Sequence, residues 1–277
     1  MSAATPEGAS PLAHARVVKL GGRALEASGA LPAFAAAMAG LRAELGPVII
    51  VHGGGAEVSE WSMRAGLAPR FCDGLRVTDP PTLEIVAAVL AGLANKRLVA
   101  ALRAAGLDAV GISLVDGVAR VRRHPDAARL GEVGEIAAVS TRLLASLLAA
   151  GQVPVLASLG DDGAGALLNV NADDAAAAIA AALPAADLLL LSDAPGVVIG
   201  GAALPALDAA EAGRLLEHVD VSGGMRPKLR AACRALAAGV RRVHIAAWNG
   251  PGTLAALLAG EPVGTTITNE EVTVRHG

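Results

Sequence analysis

Two lysines, one aspartate and a set of glycine clusters are the residues of this chain that could do chemistry together. Lys19 stands in the apolar run RVVKL, separated by Leu20 from Gly21 and Gly22. Lysine is rarely buried without a partner, so a lysine inside such a run either tops an exposed strand end or aims its cation at an anion. Lys228 ends GGMRPK (223–228), near the start of a helical segment. Between them lies NVNADDAAAAIAAAL (169–183), with two amides and two carboxylates just ahead of an alanine-rich helix. Helix capping accounts for one of those four polar residues. Asp173 is then free to bind and orient one or both lysines, with Asn169 facing a ligand. The chemistry such a set serves is charge stabilisation of a transferring phosphoryl group.

The glycines point the same way. PVIIVHGGGAEV (47–58) places Gly53, Gly54 and Gly55 directly after an apolar run, and KLGG (19–22) does so one strand earlier. A single glycine pair more often marks a tight turn. Two glycine turns on consecutive strands could cradle one polyphosphate, because backbone N–H groups and a helix N-terminus both favour an anion. Neither turn matches GxGxxG with an acidic residue about 20 positions on, and neither matches GxxxxGK[ST]. A dinucleotide fold and a P-loop are both poor fits.

Six continuous apolar runs, RVVKL, PVIIVH, AVGISLV, VPVLASL, DLLLLS and RVHIAA, must position these residues. Continuous rather than alternating runs read as strands covered on both faces. Helical segments are predicted between and after them, over Leu31–Leu45, Glu57–Ala65, Thr82–Ala105, Thr141–Ala150, Ala172–Leu183, Ala209–His218, Lys228–Ala238 and Thr253–Ala259. Gly46, Gly106, Gly151 and Gly239 stand at expected helix stops. The alternation predicts an α/β fold with a mostly parallel central sheet between helical layers, and ligands of such sheets sit at the carboxyl ends of strands. Residues 1–15 read as a loose tail, and residues 16–277 as one domain with lobes over 16–184 and 185–277.

Composition sets limits. Hydrophobic residues make up 53% of the 277, enough for a sizeable core, and the formal net charge of −3 leaves no basic footprint for nucleic acid. Two cysteines are too few for a disulfide framework or a zinc cluster, and the six histidines lack metal-ligand spacing. The start, MSAATPEGASPLAHA, has neither the cationic nor the apolar part of a signal peptide, and apolar stretches are broken before membrane-spanning length. A cytoplasmic protein with no membrane partner is expected. His52 reads as a packed or hydrogen-bonded histidine, and Arg226 is open between a ligand contact and a solvent-facing charge.

The stretches VVKLGG, VIIVHGGG, GLRVTD, LAGLANKRLV, AVGISLVDG, LGEVGEI, LNVNADDAA, LLLLSDAPGV and GGMRPKL together resemble the amino-acid kinase family, in order and spacing, over nearly the whole chain. Within it they are similar to the branch that acts on N-acetyl-L-glutamate. The resemblance implies a three-layer αβα sandwich and transfer of the γ-phosphoryl of ATP to a side-chain carboxylate, in arginine biosynthesis. It implies catalytic roles for Lys19, Lys228 and Asp173, and substrate contacts from Gly54, Gly55, Arg76 and Asn169. Gly21, Gly22 and Gly53 would face phosphate. Asp193, Ala194, Pro195, Gly196, Val197 and Val198, with Asp220, Val221 and Ser222, would border ATP. Mg²⁺ would be held mainly by the nucleotide phosphates, with no protein metal site. A homodimer joined through the Thr82–Ala105 helix is expected. The short tail with Pro6, Gly8 and Pro11 argues against the extra N-terminal helix that interlaces dimers into hexamers in arginine-inhibited relatives, so an arginine-insensitive dimer is expected. Two alternatives stay open: a sister kinase acting on carrier-linked α-aminoadipate or N-succinylglutamate, and a non-catalytic ligand binder on the same fold.

Overall fold

The computed structural model describes residues 12, 14–21, 29–183 and 187–269. Strand β1 (Arg16–Leu20) leads to α1 (Ala30–Gly40), α2 (Arg42–Leu45), β2 (Val48–His52) and α3 (Gly55–Arg64). A hairpin, β3 (Phe71–Cys72) and β4 (Leu75–Arg76), precedes α4 (Pro80–Ala87), a π-helical stretch over Ala88–Ala94, and α5 (Asn95–Ala104). Then follow β5 (Ala109–Ser113), β6 (Ala119–Arg123), α6 (Ala127–Leu130), β7 (Val133–Val139), α7 (Arg142–Ala149), β8 (Val153–Ala157), β9 (Leu159–Asp161) and β10 (Leu167–Val170). The remainder comprises α8 (Ala172–Ala182), β11 (Asp187–Ser192), β12 (Val198–Ile199), β13 (Ala202–Ala203), β14 (Ala206–Asp208), α9 (Ala209–Leu215), α10 (Met225–Ala237), β15 (Arg242–Ala247), α11 (Gly252–Ala259) and β16 (Thr265–Thr268).

The central sheet has the order β14-β16-β15-β11-β1-β2-β8-β5. Its six consecutive parallel strands, β15-β11-β1-β2-β8-β5, are the six apolar runs of the sequence, and the only antiparallel pairing in this sheet among the described residues is β15 with β16. Period-two alternation sends Val17, Ile49, Val51, Leu188 and Leu190 to one face, where they pack with residues of α7, α8 and α10. Val18, Leu20, Val48, Ile50 and Leu189 go to the other, against α1, α5 and α11. This is the three-layer αβα sandwich. A smaller sheet, β6-β7-β10-β9, carries Asn169 on β10. Its strands β6 and β7 are partly exposed, which is why the run of apolar residues that marks the central strands is missing from them.

The single helix expected over Thr82–Ala105 is interrupted by the π stretch, which places Asn95 at the start of a fresh α-helical segment, and the one expected over Leu31–Leu45 divides into α1 and α2. The GLRVTD segment is held by backbone hydrogen bonds. Thr78 N–H donates to Leu130 O, Glu132 N–H donates to Thr78 O, and Gly131, at φ 74°, leaves room for the Thr78 carbonyl that a Cβ would strike.

At the amino ends of the inner strands, Asp187 is buried and accepts from Arg16 Nε at 3.3 Å and from Arg242 Nε at 2.7 Å. Burial pushes its carboxyl up, but the Arg242 hydrogen bond and the surrounding positive charges outweigh this and hold it below the usual range. The depressed value means that the contribution to stability is present above about pH 4 and lost as pH falls through the folded-state value. Asp187→Ala is expected to lower unfolding free energy at pH 7 by about 2–3 kcal/mol, read by urea denaturation, at the low end for a broken buried pair because both arginines reach water. The difference from wild type should shrink as the pH is lowered below about 4.

Candidate active site

Strand alternation puts Lys19 on the same face as Val17, the face covered by α8 and α10. The first turn of α8 is fixed there by Asn171, whose side-chain oxygen accepts from the N–H groups of Asp173 and Asp174. Asn171 is therefore the capping residue of NVNADD, and Asp173 is left for other work. Lys228 enters from the first turn of α10. Lys19 Nζ lies 2.8 Å from Asp173 Oδ1, and Lys228 Nζ donates to both Asp173 oxygens at 3.1 Å. All three side chains are buried.

The electrostatics follow from two ammonium groups sharing one carboxylate. Burial alone would raise the Asp173 carboxyl, but Lys19 and Lys228 overcome it and hold it at about 2. Burial lowers Lys19 to about 8, with Asp173 opposing and Lys228 assisting. The next residue, Asp174, is raised by burial to about 6 despite Arg234, 3.3 Å away.

Lys19, Asp173, Gly53–Gly55, Arg76 and Asn169 line one cleft of about 190 Å³. Arg76 donates through Nη2 to Gly55 O and to Ser59 Oγ, both at 2.6 Å, and its guanidinium stacks 4.8 Å from the Phe71 ring centroid. Arg76 Nη1 is buried and has no hydrogen-bond partner among the described residues. Asn169 Nδ2 donates to Thr78 Oγ1, which donates to Arg76 O, so GLRVTD and LNVNAD are joined at this cleft. Val58, Val86 and Leu90 supply an apolar wall.

The glycines divide into two kinds. Gly21 N–H donates to Leu191 O and Gly53 N–H to Leu20 O, so the sheet ladder already uses the donors that a phosphate was expected to take. The free donors are Gly54 and Gly55 N–H, which meet no acceptor among the described residues, at the first turn of α3 where no side chain caps the helix. Gly54 is also sterically required, since a Cβ there would come within 2.6 Å of Leu90 Cδ2. A Cβ on Gly55 would meet open space. Gly22 lies outside the described residues.

The Asp193–Val198 segment assigned to ATP emerges at the same carboxyl edge of the sheet, beside Gly21, because β11 neighbours β1, whereas Asp220–Ser222 lies between α9 and α10. Asp193 and Pro195 are exposed, whereas the Val197 and Val221 side chains are core residues and leave only their backbones to border a ligand. Asp220 accepts from Gly200 N–H at 2.8 Å, tying the two segments together. Arg226 Nε donates to Val221 O at 3.0 Å, a backbone contact rather than a free charge. Sequence reasoning passed over Ser158, Thr78 and Ser59. Ser158 was discoverable, since it follows β8 at the carboxyl edge where ligands of parallel sheets sit.

Residues 15–247 match the Amino acid kinase family. The chain belongs to that family. The acetylglutamate kinase of Rubrobacter xylanophilus is 45% identical over 255 residues, covering 92% of this chain and 97% of that protein. Among solved structures, smu.665 from Streptococcus mutans superposes with a TM-score of 0.79 at 30% identity, over 93% of this kinase and 99% of that chain. N-acetylglutamate synthase from Neisseria gonorrhoeae, complexed with coenzyme A and N-acetyl-glutamate, gives a TM-score of 0.82 at 30% identity, over 93% of this kinase and 60% of that chain.

With ¹³Cε-labelled lysine followed by NMR, one resonance should titrate near pH 8 and be assigned to Lys19 by its loss in Lys19→Arg. In Asp173→Asn the same resonance should titrate at lower pH, because the raising carboxylate is gone while burial and Lys228 remain.

Proposed function

We infer that this kinase transfers the γ-phosphoryl of ATP to the side-chain carboxylate of N-acetyl-L-glutamate, giving N-acetyl-L-glutamyl 5-phosphate and ADP. The observation that carries the reading is the Lys19–Asp173–Lys228 cluster opening on the cleft that holds Arg76. A carboxylate acceptor is already a nucleophile. One of its oxygens bonds to the γ-phosphorus, the bond to the bridging β–γ oxygen breaks, and no general base is needed. Such a loose displacement asks for alignment and charge compensation.

In this proposal Arg76 takes the α-carboxylate of the acceptor through Nη1, the donor with no protein partner. Asn169 and the Gly54–Gly55 backbone complete the acceptor site. Lys19 and Lys228 approach the transferring group, and Asp173, ionised at neutral pH, keeps both ammonium groups in place. Among the described residues no cluster of His, Cys, Asp or Glu converges as a metal site, so protein charge on the phosphates comes from lysine. The nucleotide's Mg²⁺ fits that arrangement when carried on phosphate oxygens, where it neutralises charge. The ATP lobe would be residues 185–277, with Asp193–Val198 and Asp220–Ser222 beside the nucleotide, and residues 16–184 would hold the acceptor.

We place the protein in the cytoplasm, as a homodimer. Contrary to the expectation that apolar stretches are broken before membrane-spanning length, the Pro80–Ala104 run is long and apolar enough to cross a membrane by length and composition. Gly92 and the first polar residues from Asn95 onward do not end the helix, and a third of its most apolar window is buried in the chain. Asn95 in its middle hydrogen-bonds strand carbonyls of the core, so a second subunit is the cover we propose for its open face.

A hydroxamate assay with ATP and Mg²⁺ should show activity with N-acetyl-L-glutamate and far less with N-succinyl-L-glutamate, L-glutamate, L-aspartate or N-acetyl-α-aminoadipate. Preference for another acid would move the substrate assignment, and silence on all of them would overturn it. Lys228→Ala should lower kcat by about 10²–10³, equivalent to roughly 3–4 kcal/mol of transition-state stabilisation. Arg76→Lys should raise KM for the acceptor by about tenfold or more with KM for ATP little changed, since one ammonium cannot reproduce the guanidinium fork.

A further inference from the structure

Behind the glycine loop lies a buried polar pair that the chemistry above does not use. His52 ends β2 and, by alternation, faces α5 rather than α8. Its Nδ1 is 2.9 Å from Gly53 O, and its Nε2 is 3.0 Å from Asn95 Nδ2. Asn95 Nδ2 also donates to Val155 O at 3.0 Å, while Asn95 Oδ1 accepts from Lys96 Nζ at 3.1 Å. Both His52 and Asn95 are buried.

These partners fix the protons. A carbonyl can only accept and an ammonium can only donate, so Val155 O and Lys96 Nζ leave one orientation for the Asn95 amide. Its NH₂ then donates to His52 Nε2, which must be unprotonated. Nδ1 carries the hydrogen and donates it to Gly53 O. The other end of the chain demands the same answer, since Gly53 O is also an acceptor only. A second proton on the ring would point at the Asn95 NH₂. Burial, with Lys96 assisting and the Gly53 O hydrogen bond opposing, lowers His52 to about 4, and Glu57, Glu60 and Arg97 line a cavity with it.

The consequence concerns the next amide. Gly53 C=O and Gly54 N–H belong to one trans peptide plane, so they point in opposite directions. Gly53 O turns toward His52, and Gly54 N–H is one of the two free donors at the cleft. Gly54 lines both the cleft with Lys19 and the cavity on the His52 side, which are the two sides of this peptide. The π stretch supports the same loop from above, through Leu90 over Gly54 and through the placement of Asn95 immediately after it. Gly111 leaves the space that the Asn95 carboxamide oxygen occupies.

We propose that His52 and Asn95 are positioning residues that lock the Gly53–Gly54 peptide so that Gly54 N–H is presented to the acceptor carboxylate and the phosphoryl group it takes up. The role of that donor rests on the phosphoryl-transfer reading. The orientation of the relay does not, and the two are tested separately.

The first test is long-range ¹H–¹⁵N NMR on ¹⁵N-histidine wild-type protein, with His52 assigned by its loss in His52→Asn. His52 should appear as the neutral Nδ1–H tautomer from pH 5.5 to 8.5, although free imidazole prefers Nε2–H. An Nε2–H tautomer, or titration within that range, overturns the relay whatever the enzyme does. The second test compares His52→Asn, whose amide can still donate toward Gly53 O, with His52→Leu, which cannot. Both are followed by circular dichroism, and by kcat and KM beside wild type. His52→Asn should keep kcat within about fivefold, while His52→Leu should lose about 10² in kcat with KM for either substrate within about threefold. Equal losses in the two variants, a wild-type kcat in His52→Leu, or a loss confined to KM would overturn the positioning role. Should His52→Leu fail to fold, a loss of 10² in folded His52→Asn would overturn it, and the wild-type tautomer still decides the relay.

Discussion

One buried carboxylate holding two ammonium groups is the constraint around which this molecule is organised. Asp173 has no neutralising solvent shell, and neither lysine has another acidic partner among the described residues. Removing Asp173 leaves two buried ammonium groups uncompensated, a cost far above that of a surface pair. The three side chains come from a central strand of the sheet, from the helix on its face and from a helix late in the chain. The strand register, the Asn171 cap and the α8–α10 packing are all required to bring them together. The ordering also keeps the site cationic in balance, with two positive charges against one negative, ready for a polyanion.

Much of this was legible in the sequence. The central strands are buried on both faces, so they appear as uninterrupted Val, Ile and Leu runs, and their glycine-rich exits mark the carboxyl edge. Lys19 announces itself by standing in such a run. The second sheet was invisible for the converse reason: β6 and β7 are half-exposed and carry charges such as Arg120, Arg122 and Glu135 within them, and β9 and β10 are only three and four residues long. The hydrogen-bond roles at the glycines were also hidden. Gly21 and Gly53 look like phosphate donors by spacing, yet their N–H groups close the ladder, and only three-dimensional neighbours reveal it. The burial of Val197 and Val221 is likewise a matter of which face a loop turns inward, which no local pattern encodes.

The π stretch between α4 and α5 illustrates how a local irregularity serves a distant demand. A regular helix would advance each residue by the usual angle and carry Asn95 past the strand ends. The wider turn lets Leu90 cover Gly54 and lets Asn95 reach His52, Ile112 and Val155 at once. Apart from Gly92, a poor helix former that ordinary helices also tolerate, little in AVLAGLANK marks such a turn, because its cause is tertiary.

The strand order has a consequence for how the chain is made. β11 sits between β1 and β15, so on synthesis it finds β1 already waiting but must hold its other edge open until β15 has left the ribosome. That edge belongs to DLLLLS, a strand with four consecutive leucines, and an unpaired apolar edge is a template for pairing with another nascent chain. Lys228 emerges in the same interval, so the partly synthesised polypeptide carries an Asp173 with one of its two ammonium partners. The last quarter of the chain therefore gives the site its net positive charge and seals this aggregation-prone edge in a single stage of translation.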